Sequence, residues 1–173
     1  MVLTRPDTAD RILAALAARP GAALEDLAAE TGATPLGVLA CLPEAEVRAL
    51  PGTRFVEVME EITGWGPITL VVNTGDVVLE ARGPLPHGKM GQGYYNLHGT
   101  PIGGHLRAEA CEAIAFVTRA LFGTPSRSVQ FYSKSGACMF KIYLGRDANR
   151  QMLPDQVAAF ERAAEIFAAP AAA

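Results

Sequence analysis

With 173 residues, 50% of them hydrophobic and 19% charged, the chain suits a single soluble domain that can bury roughly 70% of its unfolded surface. Three cysteines (Cys41, Cys111 and Cys138), without CxxC spacing, argue against a disulfide framework and for a reducing, cytoplasmic setting, and no apolar run is long enough to span a membrane. The net charge of −3 hides a division: residues 1–50 carry −3, residues 51–81 carry −4, residues 82–150 carry +6 and the last 23 residues carry −2, so the third segment has the excess to hold a small anionic ligand.

The first fifty residues read as short helices. Asp7 or Thr8 caps a helix in which Ile12, Leu13, Leu16 and Ala17 repeat at helical spacing. The run Ile12 to Ala18 imitates a signal-peptide core, but Asp7 and Asp10 before it make a poor n-region. A second helix runs from about Leu24 to Glu30 and stops at Gly32, and Thr34-Pro35 opens a third that continues through Leu42. Cys41, like Cys111 further on, falls on an apolar helix face. Three short helices invite comparison with a helix-turn-helix DNA-binding regulator. The third, however, has no Arg, Lys, Asn or Gln to read bases, and the net-negative segment repels phosphate, so nucleic acid is not expected as a partner.

Phe55 to Gly64 fits a further helix, with Val58 and Ile62 on one side and acidic residues on the other. The run Ile68 to Val72, the turn Asn73-Thr74-Gly75-Asp76 and Val77 to Ala81 predict a hairpin, and residues 83–93, with four glycines and two prolines, read as a surface loop. Gly93-Tyr94-Tyr95-Asn96-Leu97-His98-Gly99, followed by Ile102-Gly103-Gly104-His105-Leu106, is the most chemically suggestive stretch. Tyr and His bind iron or the polar edge of a cofactor, and Gly admits a flat ligand close to the backbone. A two-residue turn at Gly99-Thr100 predicts a second hairpin with Tyr94 opposite His105, Asn96 opposite Gly103, and all four on one face.

Ala108 to Phe122 reads as a helix with Ile114, Val117, Thr118 and Leu121 on its apolar side. Arg127–Ser133 and Ala137–Leu144 read as strands joined by Lys134-Ser135-Gly136, the second half-buried with Cys138, Phe140, Ile142 and Leu144 on one face. Pro154-Asp155 opens a last helix with Val157, Phe160, Ala164 and Phe167 aligned, and the Ala-rich end beyond Pro170 is expected to fray. The elements sum to an α+β fold over 1–173: an antiparallel sheet built from hairpins and flanked by helices over 51–170, preceded by a small helical segment over 1–50.

Several segments carry a resemblance when taken in order: Gly66-Pro67-Ile68-Thr69-Leu70-Val71-Val72, Gly83-Pro84-Leu85-Pro86, Gly93-Tyr94-Tyr95-Asn96-Leu97, Gly104-His105-Leu106 and Phe140-Lys141-Ile142-Tyr143-Leu144-Gly145-Arg146-Asp147. Together they resemble the cytosolic haem-utilisation carriers of the HutX/ChuX type over most of the chain. The resemblance implies a cytoplasmic homodimer that takes imported haem as cargo and passes it on, with a haem-processing enzyme as recipient. It also implies a fold similar to half of the larger duplicated haem-trafficking proteins. His105 matches the family histidine of a Gly-His-hydrophobic motif at the haem site, and Tyr94 matches the first aromatic of the Gly-Tyr-aromatic-Asn-Leu motif. A second family histidine, at the end of the strand before the first hairpin turn, is replaced by Asn73. An amide is a poor iron ligand beside imidazole or phenolate, so the second position falls to Tyr94, to His87 or His98 as substitutes, or stays unfilled, since a carrier tolerates a single-sided ligand.

The chemistry stands without the family. Imidazole and tyrosinate both bind ferric haem, and Arg107 and Lys141 offer cations for the propionates. Zinc at His87, His98, His105 and Cys111 lacks the spacing of a zinc motif. The stronger rival is an enzyme acting on haem or an opened tetrapyrrole, for which no nucleotide or flavin motif is visible, and no Gly-x-Ser-x-Gly elbow supports hydrolysis.

Overall fold

The computed structural model describes residues 6–168. In chain order its elements are helices α1 (Pro6–Ala18), α2 (Leu24–Thr31) and α3 (Pro35–Leu39), strand β1 (Val47–Pro51), helix α4 (Phe55–Thr63), strands β2 (Pro67–Asn73), β3 (Val78–Pro84), β4 (Gly88–Gly91), β5 (Tyr94–Leu97), β6 (Gly104–Leu106), β7 (Cys111–Thr118), β8 (Arg127–Ser133) and β9 (Cys138–Tyr143), and helix α5 (Pro154–Ala168). Six strands form one antiparallel sheet in the order β1-β7-β8-β9-β2-β3, and the other three form a small sheet, β4-β5-β6. The fold is α+β.

The large sheet is covered on both faces, and strand periodicity sorts its residues between two cores. Ile114 and Phe116 of β7, Val129 and Phe131 of β8, and Phe140 and Ile142 of β9 join Phe55, Val58 and Ile62 of α4 and Phe160 of α5 in one core. Phe131 stacks on Phe140 at 4.4 Å between ring centroids, and Phe55 meets Phe131 edge-on at 5.2 Å. The opposite residues, Ala115, Val117 and Tyr132, pack against Ile12 of α1, Leu24 and Leu27 of α2, and Val38 and Leu39 of α3. Gly32 ends α2 in the left-handed conformation (φ 68°), and Thr34 caps α3 by accepting from the Gly37 amide at 3.1 Å.

Four expectations are corrected. Residues 111–118 form a strand, not part of a helix over 108–122. The helical spacing of Ile114, Val117, Thr118 and Leu121 is incidental, because a central strand with both faces covered is apolar at odd and even positions alike. Cys111 therefore opens a strand, and Cys41 lies in the turn after α3, which ends at Leu39 rather than Leu42. Residues 47–50, placed in the helical segment, pair together with Pro51 against β7 as an edge strand. The glycine-rich stretch 83–93 contains strand β4 and is not simply a loop. Gly88 serves close packing: a Cβ there would lie 2.1 Å from the Tyr95 ring. The expected frayed end beyond Pro170 lies outside the described residues.

On the helix-covered face Lys141 is buried at 5% exposure, with its Nζ 2.8 Å from the carboxylate of Glu25 on α2. Burial works against its charge, yet Tyr143, Glu25 and Cys138 around it hold its pKa above the ordinary lysine value. The pair ties the N-terminal helices to β9. Removing one partner strands the other charge, which costs about 3–5 kcal/mol, whereas replacing both with apolar groups is close to neutral. Glu25→Leu is therefore expected to lower unfolding free energy by that amount in denaturant titration, and adding Lys141→Met to recover most of it. A loss under ~1 kcal/mol in the single variant would mean the pair behaves as a surface bridge.

Candidate functional site

The small sheet is held against α4, with Tyr95 and Leu97 of β5 and Ile102 buried in the core beneath it. Because residues alternate along a strand, burying Tyr95 and Leu97 turns Tyr94 and Asn96 outward. In the register, Asn96 pairs with Lys89 of β4 and with His105 of β6, so these three share that outer face. Arg107, just beyond β6, reaches the same face through its contact with Tyr94.

The predicted hairpin is present, but its register differs by two residues. Asn96, not Tyr94, stands opposite His105, because the connection spans residues 98–103 and tucks Ile102 into the core instead of turning tightly at Gly99-Thr100. A shift of two preserves the face, whereas a shift of one would have reversed it. Tyr94 and His105 therefore still meet, diagonally, with ring centroids 6.1 Å apart and planes at 71°. Asn96 Oδ1 lies 2.6 Å from His105 Nδ1, and Arg107 donates to the Tyr94 hydroxyl at 3.1 Å while its guanidinium sits 5.3 Å from the ring centre. One exposed face thus presents an imidazole, a phenol and a cation.

The other expected residues are dispersed. Lys141 faces α2 on the far side of the large sheet and is neutralised there. Asn73 ends β2, where its Oδ1 accepts from the Gly75 amide at 2.9 Å; Val72 packs into the core, so alternation turns Asn73 away from it. His98 is exposed on the 98–103 connection. The charge excess over 82–150 is also dispersed: Arg119 pairs with Glu46, Arg127 with Glu161 and Arg82 with Glu80, leaving Arg107 and Lys89 at the outer face of the small sheet. Burial pushes the Cys111 thiol up to about 11 and the Cys138 thiol up to about 12, which favours the protonated thiol at both.

His87 precedes β4 and belongs to a different arrangement. Its Nδ1 lies 2.7 Å from Glu60 of α4, whose other carboxylate oxygen accepts from the Tyr95 hydroxyl and from the Gly88 amide at 3.2 Å. Burial and the neighbouring Glu60 raise the Tyr95 pKa, keeping the phenol protonated as donor. The clamp fixes the small sheet to α4. Sequence reasoning missed Glu60, which reads as one more acid on a solvated helix face, and it missed Lys89 and Asn96 as site residues, although alternation with Tyr94 marked Asn96.

A cleft of about 270 Å³ between β1 and α5, lined by Glu46, Arg48, Phe116, Arg127, Phe160 and Glu161 among others, contains no histidine or tyrosine and falls below the roughly 300–1,000 Å³ of ligand pockets. The outer face of the small sheet is therefore the candidate site. Fold and site together define an α+β protein with a two-face-covered antiparallel sheet and an exposed His/Tyr/Arg platform.

Residues 48–163 match the family described as haem utilisation ChuX/HutX, and the chain belongs to that family. It is 34% identical over 137 residues to the intracellular heme transport protein HutX of Vibrio cholerae, covering 78% of this chain and 71% of that protein. The solved heme binding protein ChuX superposes with a TM-score of 0.81 at 38% identity, covering 90% of this chain and 97% of ChuX. Holo-PhuS of Pseudomonas aeruginosa, at 16% identity, shares the fold over 93% of this chain and 49% of its own length (TM-score 0.72), the expected likeness to half of a larger protein.

The hydrogen bond from Tyr95, then that from His87, hold the Glu60 carboxyl below its usual range against the opposing effect of burial. A depressed folded pKa gives stability that is present above the unfolded value of about 4.3 and lost as pH falls through the folded one. Acid unfolding of the wild type is expected to show this loss, and Glu60→Gln to be less stable near neutrality with a shallower acid limb. An unchanged acid limb in Glu60→Gln would contradict the clamp.

Proposed function

We propose that this chain binds haem on the outer face of the small sheet and carries it inside the cell, accepting imported haem and delivering it to a haem-processing recipient. The observation that carries this reading is the meeting of Tyr94 and His105, 6.1 Å apart on one exposed face, in a member of this family. Either side chain suits ferric haem iron, whereas Asn73 offers only an amide already engaged with Gly75. Arg107 would meet the negative charge of a phenolate on iron or of a propionate, and Lys89 supplies a second cation on the same face. The names of HutX and ChuX, a heme transport and a heme binding protein, support haem as cargo. An open platform with few ligands also suits a carrier, which must release what it holds.

A cytoplasmic location agrees with the free Cys41, Cys111 and Cys138, and among the described residues no helix is long and apolar enough to cross a membrane. A homodimer is part of the reading. Its available surface is the outer edge of the large sheet, where β3 exposes Val78 and Leu79.

Titration of the purified protein with haemin is expected to give a saturable Soret change near one haem per chain. His105→Ala should weaken binding by roughly tenfold or more, ~1.4 kcal/mol or above, and Tyr94→Phe should alter the ferric spectrum. Unchanged spectra and affinity in both variants would reject the assignment. With a reductant and oxygen the Soret band is expected to persist; its loss with release of a tetrapyrrole product would replace carriage by degradation. Sedimentation of the same samples reads the oligomeric state, and a monomer at every concentration would remove the dimer.

A further inference from the structure

The side-chain amide of Asn96 has no freedom to turn over. Its Nδ2, with two N–H donors, has three backbone carbonyls within hydrogen-bond reach, those of Lys89 at 3.0 Å, Gly91 at 3.1 Å and Tyr94 at 3.1 Å. Carbonyl oxygens only accept, so reversing the amide would set an oxygen against three others. The orientation of Oδ1 is thereby settled: it faces His105 Nδ1 at 2.6 Å, and an amide oxygen can only accept. Nδ1 must be the nitrogen that carries the proton. In the neutral imidazole this leaves Nε2 bare.

We propose that Asn96 is a positioning residue that fixes His105 as its Nδ1–H tautomer and presents an unprotonated Nε2 as the iron-binding atom. Only the last clause rests on the haem-carrier reading. A histidine free of such a partner distributes its proton over both nitrogens, with Nε2–H the commoner form, and must shift that proton before it can bind iron through Nε2. Here the ligand atom is ready before haem arrives. Edge-on contact with Tyr94 limits the swing of the ring, so tautomer and direction are set by two neighbours on one strand. The neutral acceptor also matters. A carboxylate at this position would draw the Nδ1 proton further and make the imidazole a stronger donor, tightening its hold on ferric iron; an amide leaves it moderate.

The chain's three histidines supply an internal comparison. His87 has its Nδ1 on a carboxylate, whereas His98 makes no ring hydrogen bond among the described residues. Heteronuclear NMR of the imidazole nitrogens, on the haem-free protein at a pH well above the imidazole range, is expected to show His105 protonated at Nδ1 and bare at Nε2, with His98 mainly protonated at Nε2. Asn96→Leu should move His105 to the pattern of His98. A wild-type His105 protonated at Nε2 overturns the inference, and because this measurement needs no haem it stands apart from any failure of haem binding. With haem, Asn96→Leu is expected to lose ~10–100-fold in affinity and to lose nothing further in a His105→Ala background. An equal loss in both backgrounds would assign Asn96 to the hairpin alone and overturn the role.

Discussion

The candidate site depends on the burial of Tyr95. This side chain enters the core between α4 and the large sheet, meets the Phe55 ring at 5.8 Å, and ends with its hydroxyl on the Glu60 carboxylate. An apolar body and a satisfied polar tip together permit one depth and one direction. With Tyr95 inward, strand geometry leaves Tyr94 and Asn96 no course but outward, and a slip of one residue would bury the phenol and amide and expose the core pair. Gly88 completes the constraint, because the Tyr95 ring fills the space its side chain would need.

The two faces of the small sheet thus divide the work. The inner face, with Tyr95, Leu97 and Leu106, attaches the sheet to the body of the protein. The outer face makes little contribution to the core and is free to carry polar groups that need each other rather than the fold: Asn96 with His105, Arg107 with Tyr94. The buried Lys141–Glu25 pair holds the N-terminal helices on the opposite side of the large sheet. Its charge is therefore spent on architecture and is absent from the site. Arg119 and Arg127, paired with Glu46 and Glu161, belong to the same part of the positive excess read in residues 82–150.

Much of this was legible in the sequence, for reasons specific to each element. The β2–β3 hairpin carries its turn chemistry in Asn73-Thr74-Gly75-Asp76, and Thr34-Pro35 marks the start of α3 with a cap and a proline. The shared face of Tyr94, Asn96 and His105 was legible although the register was not, since parity survives a shift of two. The true length of the 98–103 connection depends on Ile102 finding a place in the core, which no local pattern reveals. β7 was read as a helix because alternation disappears when both faces are buried, and β1 gave no strand signal because an edge strand of five residues has too little pattern. Glu60 was invisible as a site residue because its partners, His87, Gly88 and Tyr95, come from β4, the residue before it and β5, 27 to 35 residues away.

Docking of ferric haem on the outer face of the small sheet, as proposed, is open to direct observation. Paramagnetic broadening by one equivalent of ferric haem, read residue by residue in an NMR spectrum of the protein, locates the iron directly. Signals of Tyr94, Asn96, His105 and Arg107 should be lost first, while those of Glu25 and Lys141, on the far face of the large sheet, should persist. Broadening centred on Asn73, on Lys141 or on the cleft between β1 and α5 would contradict the account.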